Sequence, residues 1–403
     1  MNDLKNYARF IIACISVLLV AAVYLLSGVA SADPVADSLR QVEQYNFSIH
    51  ILAMLLVGFG FLMVFVKNYG YSATTGTYLV VAVGIPLYML LRSMGIVCGE
   101  VITPDTIKAL LLAEFAAAAA LISMGAVLGR LRVYQYAVLA IILVPVYMLN
   151  EWMVLDGGLG ITKGFTDAAG SIIIHAFGAY FGLGLTVALT SRALRETPIK
   201  SDATSDRFSM LGSMVLWIFW PSFCCAMVPP EQMPHTAINT ILALCGATVM
   251  TFVLTSLLHK NHPSIADIAN ASLAGGVAIG ATCNLVSAGG AFGIGLLAGG
   301  VCVVGYFVVQ TKLRKLLKGV DTCGVHNLHG MPGLIGGLAA ICVVPGIAQA
   351  QLSGIAFTVV LAFSTGLIGG YIIKATGTKK LAYEDKDEFG EEILDVARIE
   401  IAG

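Results

Sequence analysis

The chain has 403 residues, 58% of them hydrophobic and only 12% charged, with a net charge of −1. A soluble domain carries about 25% charge and needs it to keep its surface solvated, so the composition excludes that class and points to a membrane protein. The near-zero net charge gives no electrostatic case for a nucleic-acid partner. The nine cysteines sit mostly inside apolar runs, and none forms a C-x-x-C pair. They read as small buried hydrophobes, with no disulfide framework, metal site or cofactor implied.

In chain order, residues 1–32 carry Lys5 and Arg9, an apolar run from Phe10 to Val29, and Ala30-Ser31-Ala32. That is the layout of a secretory signal. The apolar run is long for a signal, so an uncleaved first helix is the alternative. Runs long enough to cross a bilayer, about 20 residues each, follow near 47–66, 75–96, 106–129, 134–156, 168–190, 209–228, 236–258, 265–287, 290–310, 324–345 and 354–374. The expected fold is therefore all-α and polytopic, with about eleven transmembrane helices after the signal. The membrane domain spans 45–378 and a tail 379–403.

The connecting loops set the orientation. One side holds Lys67, Arg130, Arg132, Arg192, Arg195, Lys200, Arg207, Lys260, Lys312, Arg314, Lys315 and Lys318. The other holds only Arg92, Lys108 and Lys163. The first side is the cytoplasmic one, which leaves the mature N-terminus outside the inner membrane and the acidic tail inside. The tail reads as solvated, and no regulator that would bind it is identified.

Two segments share one pattern. Asp167-Ala168-Ala169-Gly170-Ser171-Ile172-Ile173-Ile174-His175 and Asp321-Thr322-Cys323-Gly324-Val325-His326-Asn327-Leu328-His329 both fit D-x-x-G-x-x-x-x-H. They fall in the fifth and tenth spans. An offset of five spans reverses their direction in the membrane, as in a five-plus-five inverted-topology repeat followed by a last helix, where transport sites lie near the midplane. Each aspartate reads as a cap at the start of its helix. Eight helical residues rise roughly 12 Å, so each histidine comes close to the middle of a core about 30 Å thick, from opposite sides. Two histidines at that depth are costly unless they pair or face a polar cavity. A bond between the rings satisfies one nitrogen of each and leaves the other for a permeant molecule. The same geometry turns each aspartate about 80° away from its histidine. Asp321 therefore reads as a helix cap, and Asp167 as a cap or as a charge at the outer vestibule.

His175-Ala176-Phe177-Gly178-Ala179-Tyr180-Phe181-Gly182-Leu183, Asn327-Leu328-His329-Gly330-Met331-Pro332-Gly333 and Leu273-Ala274-Gly275-Gly276-Val277 resemble motifs of the Amt/Rh ammonium transporter family. Trp220-Pro221-Ser222-Phe223 and Asn150-Glu151 resemble its Rhesus branch, including bacterial Rh proteins. The resemblance implies a homotrimer in membrane lipid with a pore in each subunit. It implies that His175 and His329 line the pore and that two stacked phenylalanines, Phe115 and Phe223, form a hydrophobic gate at its outer end. It further implies ammonia or ammonium as the permeant, with methylammonium or carbon dioxide as further candidates. Where the Amt branch carries an outer Trp and Ser that cup ammonium, the counted positions here are Leu155 and Met227. That departure favours a facilitative, low-affinity conduit, with Glu151 either supplying charge to the outer vestibule or serving a structural role. A neutral-gas channel and an electrogenic carrier are the transport rivals. The pattern contains no nucleophile–base pair that would suggest an enzyme.

Overall fold

The structure is a computed structural model that describes residues 36–96, 101–103, 106–377 and 381–390. The expected signal segment, 1–32, lies outside the described residues, as does the end of the tail beyond 390. Among the described residues every regular element is helical. Nine helices are long and apolar enough to cross a bilayer: α1 Arg40–Phe65, α2 Lys67–Met94, α3 Ile107–Ala126, α4 Val133–Val154, α5 Ser171–Leu189, α6 Ala203–Cys225, α7 Pro230–Leu258, α9 Ala288–Leu317 and α11 Ala348–Ala375. The other two expected segments take a shorter form. The eighth, α8, is Ile265–Ile279, broken at Ser272–Leu273 and followed by turns where helix was expected up to 287. The tenth, α10, is His326–Gly330 continuing as Met331–Val343. Its first turns carry His326, Asn327, His329 and Pro332, and these polar or helix-breaking residues dilute its hydropathy.

α3 and α5 form the centre of the bundle. In them 94% and 89% of the apolar window is buried, against 28% in α11. Small side chains make this possible, because helices in lipid associate through close backbone approach. The run Ala116–Ala120 of α3 is buried on all sides. At the crossing of α5 and α11, a Cβ at Gly184 would strike the Phe363 carbonyl, and one at Gly366 would strike the Phe181 carbonyl.

The inverted repeat shows in hydrogen bonds as well as in sequence. In the loop before α5, the Ala169 amide donates to the Gly280 carbonyl at the end of α8, 2.8 Å away. In the loop before α10, the Cys323 amide donates to the Gly125 carbonyl at the end of α3, 3.2 Å away. Ala169 and Cys323 hold the same place in the two motifs, and α3 and α8 the same place in the two repeats.

The first part of the tail departs from the solvated reading. The short helix Asp385–Phe389 lies against the starts of α2 and α4. Asp385 accepts from the Tyr71 and Ser72 amides, both at 2.9 Å, and from the Ser72 hydroxyl at 2.7 Å. Glu388 accepts from the Val133 amide at 3.1 Å. The acids thus cap the N-termini of α2 and α4, where the helix dipole favours negative charge. Burial still raises the Asp385 carboxyl above its ordinary range, against the pull of Ser72 and Tyr71. A carboxyl raised in the docked state stabilises docking below its free pKa, and that contribution is lost as pH rises through the raised value. Hydrogen exchange across 70–74 and 381–390 should therefore slow on acidification. Asp385→Asn should remove that pH dependence and keep only part of the protection, because both carboxylate oxygens accept and one is replaced by an NH2, and Asp385→Ala should lose protection.

Candidate pore site

Each pore histidine is delivered by a glycine and an aspartate. Gly170 and Gly324, the glycines of the two motifs, both adopt left-handed backbone, with φ of +77° and +69°. An L side chain there is strained by roughly 1–2 kcal/mol. It would also strike Ile174 in the first case and Tyr306 in the second. Asp167 Oδ2 accepts from the amides of Ile172 at 2.9 Å and Ile173 at 2.8 Å. Asp321 Oδ1 accepts from Val325 at 3.0 Å, and its Oδ2 accepts from His326 at 2.9 Å. These bonds satisfy first-turn donors that a helix start leaves unpaired.

The helices begin later than the motif suggests. α5 starts at Ser171, four residues after Asp167, because Gly170 turns the chain first. The first turns are π-helical in both copies, Ser171–Ala176 and His326–Gly330, and each contains its histidine. Eight residues of regular helix therefore do not separate acid from histidine. A wide π turn, a feature found mostly at functional sites, re-aims the ring.

The two rings meet. His175 Nδ1 and His329 Nδ1 are 3.2 Å apart, with centroids 5.3 Å apart and planes 12° from parallel. Both are 3% exposed. A bond between two Nδ1 atoms needs one donor and one acceptor, so two neutral rings in this contact are opposite tautomers. One then presents a lone pair at Nε2 and the other an N–H. His175 Nε2 has no hydrogen-bond partner among the described residues.

Aromatic rings continue the line on both sides. Phe223 lies 5.9 Å from His175, and Phe115 lies 4.8 Å from Phe223. The two phenylalanines are inclined at 60° rather than stacked as the resemblance implied. Offset and edge-on arrangements suit aromatic quadrupoles better than a sandwich. Trp220 stacks on His175 at 5.7 Å, and Phe59 on His329 at 6.0 Å. Sequence reasoning gave neither ring a place beside the histidines. Trp220 was legible in principle, three residues before Phe223 on one helix face, whereas Phe59 is an ordinary aromatic in an apolar run. Beyond His329 a cavity of about 20 Å³ opens, lined by Phe59, Leu62, Leu121, Ile122, Leu328 and Asn270 among others. That is room for a single molecule of the size of water.

Glu151, expected at the outer vestibule or in a structural role, lies among other side chains. It is 5% exposed, accepts from the Tyr88 hydroxyl at 2.7 Å, and lies 3.9 Å from Arg92. A buried carboxylate so engaged lends little charge to a vestibule. Asp167 is also buried and bound to α5 amides. Leu155 and Met227, at the counted Trp and Ser positions, are both exposed and apolar.

A bundle of apolar helices that closes on a neutral histidine pair, with a one-molecule cavity beneath it, is a polytopic membrane transport protein. The model of the Ammonium Transporter Family matches residues 9–400. The structure of Nitrosomonas europaea Rh50, described with the mechanism of conduction by the Rhesus protein family of channels, is 62% identical. It superposes with a TM-score of 0.86 over 91% of this chain and 99% of that one. The ammonium transporter Rh type B of Oryctolagus cuniculus is 35% identical over 391 residues, covering 86% of this chain and 84% of that protein. A structure described as Sensor Amt Protein, 20% identical, shares the fold with a TM-score of 0.74 over 89% of this chain and 98% of that one. The chain belongs to the ammonium transporter family, on its Rhesus branch.

Proposed function

We propose that the protein is a facilitative channel for ammonia in the inner membrane, with His175 and His329 lining its pore and Phe115 and Phe223 gating the outer end. Ammonium loses a proton near the phenylalanines, ammonia passes along the histidines, and it is reprotonated inside. The observation that carries this reading is the Nδ1–Nδ1 contact of 3.2 Å between two buried histidines in an apolar setting. Ammonium and potassium have similar size and charge, so a charged filter separates them poorly. An apolar lumen separates ammonia from both, because stripping water from an unpaired ion costs tens of kcal/mol in the limit, while a neutral amine loses only its hydrogen bonds. One Nε2 lone pair and one Nε2–H restore some of those bonds midway. The family resemblance supports a homotrimer with one pore per subunit, and the Lys and Arg distribution in the loops supports an outer N-terminus and a cytoplasmic C-terminus.

The test uses proteoliposomes loaded with a pH-sensitive dye. An inward ammonium gradient should alkalinise the interior faster than in protein-free vesicles, while a potassium gradient should load no potassium. Absence of a protein-dependent ammonia signal, or entry of potassium at a similar rate, would overturn the reading. A carbon dioxide pulse in the same vesicles separates the neutral-gas rival.

A further inference from the structure

Two buried glutamates lie in the outer half of the bundle, and they are treated very differently. Glu151 has Tyr88 and Arg92. Glu114 is 0% exposed and receives one hydrogen bond, from the Ser48 hydroxyl to Oε1 at 2.6 Å. Its Oε2 has no hydrogen-bond partner among the described residues. Ionisable side chains within a membrane are costly and are retained for a task. Here the second oxygen is left open.

Its position says where that oxygen is offered. Glu114 immediately precedes Phe115, whose ring meets Phe223 over His175. Leu121 and Gly125 line the cavity beneath His329. They follow Glu114 by seven and eleven residues, which on a helix places all three within about 20° of one line. Glu114 thus stands on the lumen-facing line of α3, at the level of the gate. Ser48 belongs to α1, which gives Phe59, Leu62 and Met63 to the same lumen. The other repeat carries a polar residue at a similar height. Asn270 of α8 precedes Gly280 by ten residues, as Glu114 precedes Gly125 by eleven, and Asn270 lines the lumen at the inner end.

We infer that Glu114 is the proton acceptor at the outer gate. This rests on the ammonia reading above and names the group that performs its first step. An N–H bond of ammonium breaks, its electron pair stays on nitrogen, and the proton forms an O–H bond at Oε2. The products are neutral ammonia and neutral Glu114, both cheaper than ions in an apolar site. Ammonia continues to His175, and the carboxylic acid returns its proton to outer water before the next cycle. Among the described residues one other carboxylate oxygen is left open, Asp167 Oδ1, and it belongs to the cap of α5, where Oδ2 holds the Ile172 and Ile173 amides; other ionisable side chains on the helices packed around α3 have partners of their own. Tyr88, Arg92 and Glu151 bind one another. Tyr147 packs on Tyr88 and Phe177, His175 is held by His329, and His50 Nδ1 pairs with the Ser222 hydroxyl at 2.9 Å.

The experiment is a pH profile of ammonia flux in proteoliposomes for the wild type, Glu114→Gln and Glu114→Asp, corrected for protein-free vesicles. Below the pKa of ammonium the substrate arrives protonated, and Glu114→Gln should conduct about 100-fold more slowly, the low end of what a positioned base contributes. Above that pKa ammonia arrives already neutral, and the deficit should shrink. Glu114→Asp, a shorter base, should fall between the two. Glu114→Gln matching the wild type at every pH would overturn the inference and leave the channel reading standing. So would an equal loss at every pH that Glu114→Asp does not relieve, because that is a packing defect. A wild type without protein-dependent flux would instead remove the channel reading itself.

Discussion

The double substitution His175→Ala with His329→Ala is expected to reduce ammonia flux roughly 100-fold. The two rings meet through Nδ1 and keep Nε2 atoms for hydrogen bonding on the apolar path between Phe223 and the cavity beneath His329. Without them ammonia crosses that stretch unpaired. An unpaired polar group in an apolar medium costs about 2–7 kcal/mol. A net increase of about 3 kcal/mol in the barrier, well inside that range, is about a 100-fold loss of rate. The vacated volume also weakens the exclusion of ions, so potassium entry should rise. Stopped-flow flux of both species reads this directly. A double variant that kept wild-type ammonia flux and still excluded potassium would show that the histidines are not the conduit.

The second large effect is on stability, and it separates the two repeats. Asp167 satisfies both of its amides with one oxygen, Oδ2, while Oδ1 is buried and unpaired. In Asp167→Asn the amide oxygen takes the place of Oδ2, and the new NH2 replaces an atom that had no partner. Asp321 divides its work, one oxygen to Val325 and the other to His326. Asp321→Asn must turn an NH2 group onto a backbone N–H. A buried donor left without an acceptor costs about 1–3 kcal/mol. Thermal unfolding in detergent should therefore show a clear drop for Asp321→Asn and a much smaller one for Asp167→Asn. Equal drops would mean that the two caps do not work as their bond lengths indicate.

Much of the pore was legible because the D-x-x-G-x-x-x-x-H motif encodes local physics twice. A capping acid, a glycine that permits left-handed backbone and a histidine at fixed spacing are all short-range features, and their repetition in opposite orientations brings the rings together. The matched loop bonds of Ala169 and Cys323 fit the same reading. What escaped depends on contacts that no local pattern carries. The π turns around His175 and His329 arise where helix, glycine and neighbouring backbone compete for the same space. Phe59 reaches His329 from the first helix, far away in sequence. The engagement of Glu151 with Tyr88 and Arg92 is set by how α4 packs on α2. The acidic tail gave no sign of docking, because its partners are mainly backbone amides at helix starts, with the Ser72 hydroxyl, and not oppositely charged side chains.

The departures at Leu155 and Met227 bear on affinity. An exposed leucine and an exposed methionine at the outer mouth offer ammonium neither a hydrogen-bond acceptor nor an aromatic face. Cation–π contact with a Trp contributes about 0.5–2 kcal/mol, so its absence fits a conduit that works at high substrate concentration. On the proposed channel reading, selectivity rests on the apolar lumen and the histidine pair rather than on capture at the surface.

Neutral passage is the centre of this account, and simultaneous recording of flux and current tests it most directly. Ammonia flux into proteoliposomes is followed by dye while current is measured across a supported membrane bearing the same protein. Flux well above the protein-free rate with no accompanying current is expected, because the proton stays outside. A current that scales with flux at one charge per ammonia would contradict it and would make the protein an electrogenic carrier.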